Sequence, residues 1–497
     1  MNPQILRLSG VAMALLAMLI AATTYWQTWA RADLAAKQDN AIQRVAEFSI
    51  RRGTIESGGR LLAGNRRRVV GGQALYFRRY PLGPVTAHVV GYSTASRART
   101  GLEKSLNDYL TASNQSLSTF VDRSLDQLRG KPIRGNDVRL TLNLRAQRVA
   151  LEALGTKCGA VVALDPRNGA VKVLASSPSY DPNLVERRFS AIGRIRADCA
   201  PAAPLLDRAT AGLYAPGSTF KLVTASAALS SGKFTPDSTF HDPGYCEEYG
   251  KKVLNFADQS GPEVFGTIRL HDALVHSVNS VFCNIGKELG AIPILRQAQR
   301  FGFYDLPPLE TPEEERRPSG LYNGNRKPFF PRRETQVDPG RIAFGQERLL
   351  VTPLQMAMVA ATLGNGGVEM QPFVVSRIVS PGGRTVVKAR PHRMGRPVSP
   401  QVAAAVKDMM VDVVRRGTGT AAQIPGLLVG GKTGTAETGV SHRNTTWFVC
   451  FAGPDDGSPP RIAIAVVLEG QSSTGGATAA PIARQVIETL LPRSGNP

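Results

Sequence analysis

CGAVVALD (158–165), the turn Pro166-Arg167-Asn168-Gly169 and AVKVLASS (170–177) read as two strands of a β-hairpin. Short apolar runs bounded by Pro, Asn and Gly have strand length and turn chemistry. Near the other end, LLVGGKTGT (427–435), TTWFVCFAG (445–453) and RIAIAVVLEG (461–470) read as three more strands. A final helix is expected from Ala477 to Leu491, with Pro481 tolerated in its first turn. Between the strand groups, KLVTASAALSSG (221–232), LHDALVHSVNSVFCNIGKELG (270–290) and TPLQMAMVAATLGNGG (352–367) carry apolar residues at helical spacing and end at glycine. Strands at both ends with helices between them predict one α+β domain over 151–497. Its mainly antiparallel sheet would join early and late segments and be flanked by helices. The polar, proline-rich stretch 305–340, with its charge run Glu313 to Arg317, reads as a solvated surface loop.

The chain has 497 residues, which is long for one domain and predicts two or three. Hydrophobic residues make up 42%, enough for large cores. The formal charge is +21, but the basic residues are spread along the chain without a nucleic-acid-binding motif. A well-solvated surface, or attraction to anionic lipids and polymers, explains that charge better than a nucleic-acid partner does. The five cysteines are scattered, with no CxxC pair and no clustered histidines, so no metal site is expected. An odd count excludes complete pairing within the chain and leaves room for one bridge.

Residues 8–26 read LSGVAMALLAMLIAATTYW and carry no charge. A helix of that length spans roughly 28 Å, close to a bilayer core. Tyr25, Trp26 and Trp29 at its far end suit the interface. Ala30-Arg31-Ala32 loosely resembles a signal-peptide cleavage site, but the apolar run exceeds a signal core. The expected organisation is a short tail (1–7), an uncleaved anchor (8–26), a mixed basic pedestal (27–150) and the α+β domain. Arg7 before the segment and Arg31, Lys37 and Arg44 after it leave orientation open.

Three short motifs carry chemistry. Ser218-Thr-Phe-Lys221 follows Pro216-Gly217 and opens a helix. At this spacing serine and lysine share a face, and the helix N-terminus supplies free N–H groups. Acyl transfer needs a hydroxyl, a base and donors for an oxyanion. Lys221 can act as base only when neutral, which burial or neighbouring charge can arrange. A second S-x-x-K, Ser230 to Lys233, lies at the helix C-terminal end, where Gly232 stops the helix and the dipole has the wrong sign. Ser277-Val278-Asn279 lies in the next helical stretch, but S-x-N recurs at Ser105 and Ser494. Lys432-Thr433-Gly434-Thr435 occurs once, on a predicted strand. There lysine and threonine hydroxyls suit a carboxylate, Gly434 permits close backbone approach, and an edge could accept an extended peptide.

In this order and spacing the three motifs resemble the signature of penicillin-binding proteins and class A β-lactamases. The chain is similar to class B penicillin-binding proteins, the monofunctional D,D-transpeptidases, most of all the short actinobacterial division-associated type. Arg52-Gly53-Thr54-Ile55 with Leu61-Leu62-Ala63, and Gly101-Leu102-Glu103 with Asn107 to Leu110, resemble the pedestal. Ser177 to Asn183, Gly345-Gln346 and Thr352 to Gln355 resemble the transpeptidase domain.

The resemblance implies a peptidoglycan crosslinking enzyme that also binds penicillin. Ser218 would be the nucleophile, Lys221 the base, and Ser277 the proton relay to the leaving group. Asn279 would hold the donor peptide. Lys432, Thr433 and Thr435 would bind its carboxylate, beside Gly434, with the N–H groups of Ser218 and Thr435 as oxyanion hole. Implied partners are stem peptides, β-lactams, the membrane, a multispanning glycan polymerase and division proteins. The implied location is the cell membrane, single-pass, with the catalytic domain outside. No cofactor or metal is implied. Beside Asn279, Cys283 is expected to pair with Cys246, the alternative being five buried thiols. A β-lactamase would need a deacylating glutamate, and no E-x-x-x-N lies between Asn279 and Lys432. A D,D-carboxypeptidase is the nearer alternative.

Overall fold

The computed structural model describes residues 3–28, 47–113, 133–258, 261–438 and 443–492. The expected flank Trp29, Ala30-Arg31-Ala32, Lys37 and Arg44, and the S-x-N at Ser494, lie outside the described residues.

The five predicted strands form one antiparallel sheet. Its order is Leu427–Glu437, Asn444–Pro454, Ile462–Gln471, Gly159–Leu164 and Val171–Ser177. The hairpin that opens the domain therefore pairs with the last strand in sequence, Ala463 facing Leu164 and Leu468 facing Gly159. Helices cover both faces. Leu144–Leu154 and Gly475–Leu490 bury Ala150, Leu154, Ala483 and Ile487 against Val161, Val173, Ile464 and Val466. On the other face Pro353–Gly364 is buried along its whole length, which explains a helix apolar all round. The Thr352 hydroxyl accepts from the Gln355 N–H at its start.

The last helix begins earlier than expected. Thr474 caps it, so Pro481 falls inside the helix and not in its first turn.

A second sheet runs Thr385–Lys388, Val375–Val379, Asp137–Leu140, Ile55–Ser57, Arg60–Val70 and Gln73–Arg79. It joins pedestal residues to a late hairpin of the chain. Behind it Glu103, fully buried, accepts from Arg52 at 3.0 Å and from Arg78 at 2.6 Å. Burial alone would push the Glu103 carboxyl up, but the two guanidinium groups outweigh it and hold the carboxyl below its usual range.

The stretch 305–340 is not the solvated loop expected. Thr311, Arg316 and Ser319 are buried in it. Both oxygens of Glu315 accept the Gly101 N–H at 3.0 Å, and Glu314 pairs with Lys104. The charge run thus caps a pedestal helix, Gly101–Ser105, from the catalytic side.

Two disulfides are present, Cys158–Cys199 and Cys246–Cys283. The expected pair forms, and the expectation of at most one bridge is corrected by the other. Cys450 is free and buried. Pro3–Thr28 is one helix, and its segment Arg7–Tyr25 is long and apolar enough to cross a membrane, with none of it buried.

Candidate active site

The catalytic candidates lie on three elements. Gly217–Phe220 is a 3-10 turn that runs directly into the helix Lys221–Ser230. Ser218 is half-buried on that turn, while the Lys221 side chain disappears into the interior at 0% exposure. The decoy Ser230 is exposed at the far end of the same helix.

Ser277 is not inside a long helix, as the sequence suggested. The stretch breaks into Leu270–Val275 and Asn279–Leu289. Val278 N–H bonds to Ala273 O and Ser277 N–H to Leu274 O, the double bond pattern of a Schellman cap. Ser277 fills the left-handed position at φ 63° that glycine usually takes. No glycine signals this break, so it was hidden in the sequence. The break turns the Ser277 carbonyl and hydroxyl toward the lysines.

Lys221 Nζ donates to Ser277 O at 2.6 Å and to Asn279 Oδ1 at 2.8 Å, with Ser277 Oγ at 3.4 Å. Burial first, and the charge of Lys432 second, hold its ammonium well below the usual lysine range. A neutral amine has two N–H bonds and one lone pair. The two carbonyl oxygens take the hydrogens and leave the lone pair to receive a proton.

Lys432 is also fully buried, and its Nζ donates to Ser277 Oγ at 2.8 Å and Thr433 O at 3.1 Å. Burial pushes it down to about 7. A cation was expected here. Near neutral pH Lys432 holds only part of that charge, and a carboxylate beside it would favour the cation. The Thr433 hydroxyl lies 2.6 Å from that of Thr418, and Thr435 Oγ1 accepts the Gly475 N–H at 3.3 Å.

The strand Leu427–Glu437 is an edge strand, with no strand partner on one side among the described residues. Gly434 is needed against the chain itself. A Cβ there would lie 2.9 Å from Pro216 O and from Thr219 Cγ2, which flank Ser218. All eight sequence candidates, Ser218, Lys221, Ser277, Asn279, Lys432, Thr433, Gly434 and Thr435, therefore border one site.

Sequence reasoning missed two supports of the serine turn. Trp447 Nε1 donates to Ala215 O at 3.0 Å. Its indole N–H, buried on a central strand, needed a partner, and that was the available signal. Gly217 N–H donates to Gly345 O at 3.0 Å, and a Cβ on Gly345 would come within 2.0 Å of Gly217 O. Two groups of metal-ligand type, Cys158/Cys199/Glu469 and Cys246/Glu248/Cys283, are each built on a disulfide and offer only one carboxylate.

This arrangement has recognisable relatives. Residues 159–488 match the penicillin binding protein transpeptidase domain, and residues 52–138 match the penicillin binding protein A dimerisation domain. The chain belongs to the penicillin-binding protein transpeptidase family. It is 34% identical to the peptidoglycan D,D-transpeptidase PbpA of Mycobacterium tuberculosis over 99% of each chain. PbpA of Mycolicibacterium smegmatis is equally similar, at 34% over 99% of each chain. Among solved structures, the ceftriaxone acyl-enzyme of M. tuberculosis penicillin-binding protein A superposes with a TM-score of 0.79 at 32% identity. It covers 90% of this chain and all of that one. The imipenem acyl-enzyme of the same protein gives 0.77 with the same coverage. This chain couples its transpeptidase domain to a second sheet and an apolar N-terminal helix.

Proposed function

We propose that this penicillin-binding protein is a peptidoglycan D,D-transpeptidase that works through a Ser218 acyl-enzyme and is inhibited by β-lactams. The observation that carries the reading is the pair of buried lysines converging on Ser277, the Lys221 ammonium held well below its usual range and that of Lys432 pushed down to about 7.

In this reading the donor peptide lies along the free edge of Leu427–Glu437, its terminal carboxylate on Lys432, Thr433 and Thr435. Asn279 holds its backbone. Ser218 Oγ attacks the penultimate D-alanine carbonyl and gives its proton to Lys221. The N–H groups of Ser218 and Thr435 receive the negative charge on the carbonyl oxygen. The C–N bond breaks, and terminal D-alanine leaves with a proton relayed through Ser277. An amine of a second stem peptide then attacks the ester, forms the crosslink and returns the proton to Ser218.

In this reading the catalytic domain lies outside the cell, with the apolar helix Pro3–Thr28 as its anchor. Two disulfides support an oxidising compartment. A separate multispanning polymerase would supply the glycan strands. Cell division is the setting to which the sequence resemblance points.

The test uses the full chain in detergent with a pentapeptide donor and an amine acceptor. Free D-alanine and crosslinked product should appear together and both vanish in Ser218→Ala. D-alanine release without crosslinking would assign a carboxypeptidase instead.

A further inference from the structure

Asp242 ends the short strand Thr239–Asp242 and is fully buried, yet no cation pairs with it among the described residues. Hydrogen bonds alone satisfy it. Oδ1 accepts from Gly244 N–H at 2.9 Å, Asn255 Nδ2 at 3.0 Å and Ser280 Oγ at 2.5 Å. Oδ2 accepts from Asn255 Nδ2 and Phe265 N–H, both at 2.9 Å. Burial pushes this carboxyl up, but bonds from Ser280, Phe265, Gly244 and Asn255 outweigh it and leave it below the usual range. It is a buried anion at neutral pH that gathers donors from both ends of the segment 244–265.

The bonds lead to the active site. Asn255, held by Asp242, accepts the Ser280 N–H on its Oδ1 at 3.0 Å. Its neighbour Leu254 presents its carbonyl to Asn279 Nδ2 at 2.9 Å. That contact decides which way the Asn279 amide faces. With its NH2 group on Leu254 O, its oxygen must face Lys221, where the distance is 2.8 Å. A flipped amide would set two N–H donors against Lys221 Nζ.

We propose that Asp242 is a positioning residue for acyl transfer, acting through Asn255 and Leu254 to fix the amide of Asn279 against Lys221. The proposal rests on the Ser218 acyl-enzyme reading and adds a residue that none of the three motifs contains. Asp242→Asn keeps the shape but turns one acceptor oxygen into a donor. Whichever oxygen is replaced, the new NH2 faces an N–H or O–H donor, and the segment loses its anchor.

The experiment is stopped-flow acylation of the full chain by penicillin, with the active fraction titrated separately from the acylation rate constant k2. A residue that only stabilises the fold lowers the active fraction and leaves k2 of the remaining molecules unchanged. A positioning residue lowers k2 itself, here by about tenfold to a hundredfold for Asp242→Asn. The loss should disappear in an Asn279→Ala background, because the two changes remove the same orientation. Ser280→Ala removes only the 2.5 Å bond and gives the same test, with a smaller loss, should Asp242→Asn fail to fold. Unchanged k2 in the folded fraction, or losses that multiply independently with Asn279→Ala, would overturn the proposal. The Ser218 assignment is judged apart from this, by whether Ser218→Ala still forms the adduct.

Discussion

Lys432 donates to the Ser277 hydroxyl across 2.8 Å, although 155 residues separate them. Ser277 stands between this lysine and Lys221, and after burial the charge of Lys432 helps hold the Lys221 ammonium down.

The pH dependence of acylation follows. Lys221 must be neutral to accept the serine proton, and its depressed ammonium loses that proton as pH rises. Lys432 must be cationic to attract a carboxylate, and burial makes it discharge through about 7. The second-order rate constant for acylation should therefore rise on the acid side as Lys221 loses its proton, and fall through about 7 on the alkaline side as Lys432 loses its own. Replacing Lys432 by methionine should lower the rate and flatten the alkaline limb. An alkaline limb unchanged in that variant would remove Lys432 from the carboxylate site.

Lys221→Ala should fold normally, since it removes a buried amine and leaves a helix-favouring residue. Its acylation rate should drop by about a thousandfold, the span of a lost general base. Stopped-flow acylation beside thermal melting checks both halves of this expectation.

The serine turn depends on backbone contact. Gly345 sits at φ +80°, with no room for a Cβ against Gly217 O. Gly345→Ala should cost about 3 kcal/mol and slow acylation. Gly366 has a similar φ of +61° with nothing within 4 Å. Gly366→Ala should cost only about 1 kcal/mol and leave acylation unchanged. Melting and acylation of the two variants separate strain from collision.

Thiol counting tests the covalent frame. With two bridges and buried Cys450, the native protein should take up no alkylating agent. Unfolding without reductant should expose one thiol, and adding reductant should expose all five. Mass spectrometry reads each step directly.

The strands were legible because apolar runs beside Gly and Pro have one economical reading, and both ends of the chain showed them. The site residues were legible through motif order. What stayed hidden was local or long-range. Ser277 occupies a left-handed cap with a residue that does not advertise one. Glu315 is bonded across the two halves of the molecule, so its charge run looked like solvated surface. Cys158 and Cys199 lie 41 residues apart with no motif joining them. Asp242 lies outside all three motifs, and only folding brings Asn255 and Ser280 to it.

Labelling with a fluorescent penicillin, followed by mass mapping of the adduct, tests the central claim most directly. Wild type and Ser230→Ala should carry one stable adduct on the peptide containing Ser218, and Ser218→Ala should carry none. An adduct retained in Ser218→Ala, or one mapped to another serine, would contradict the account.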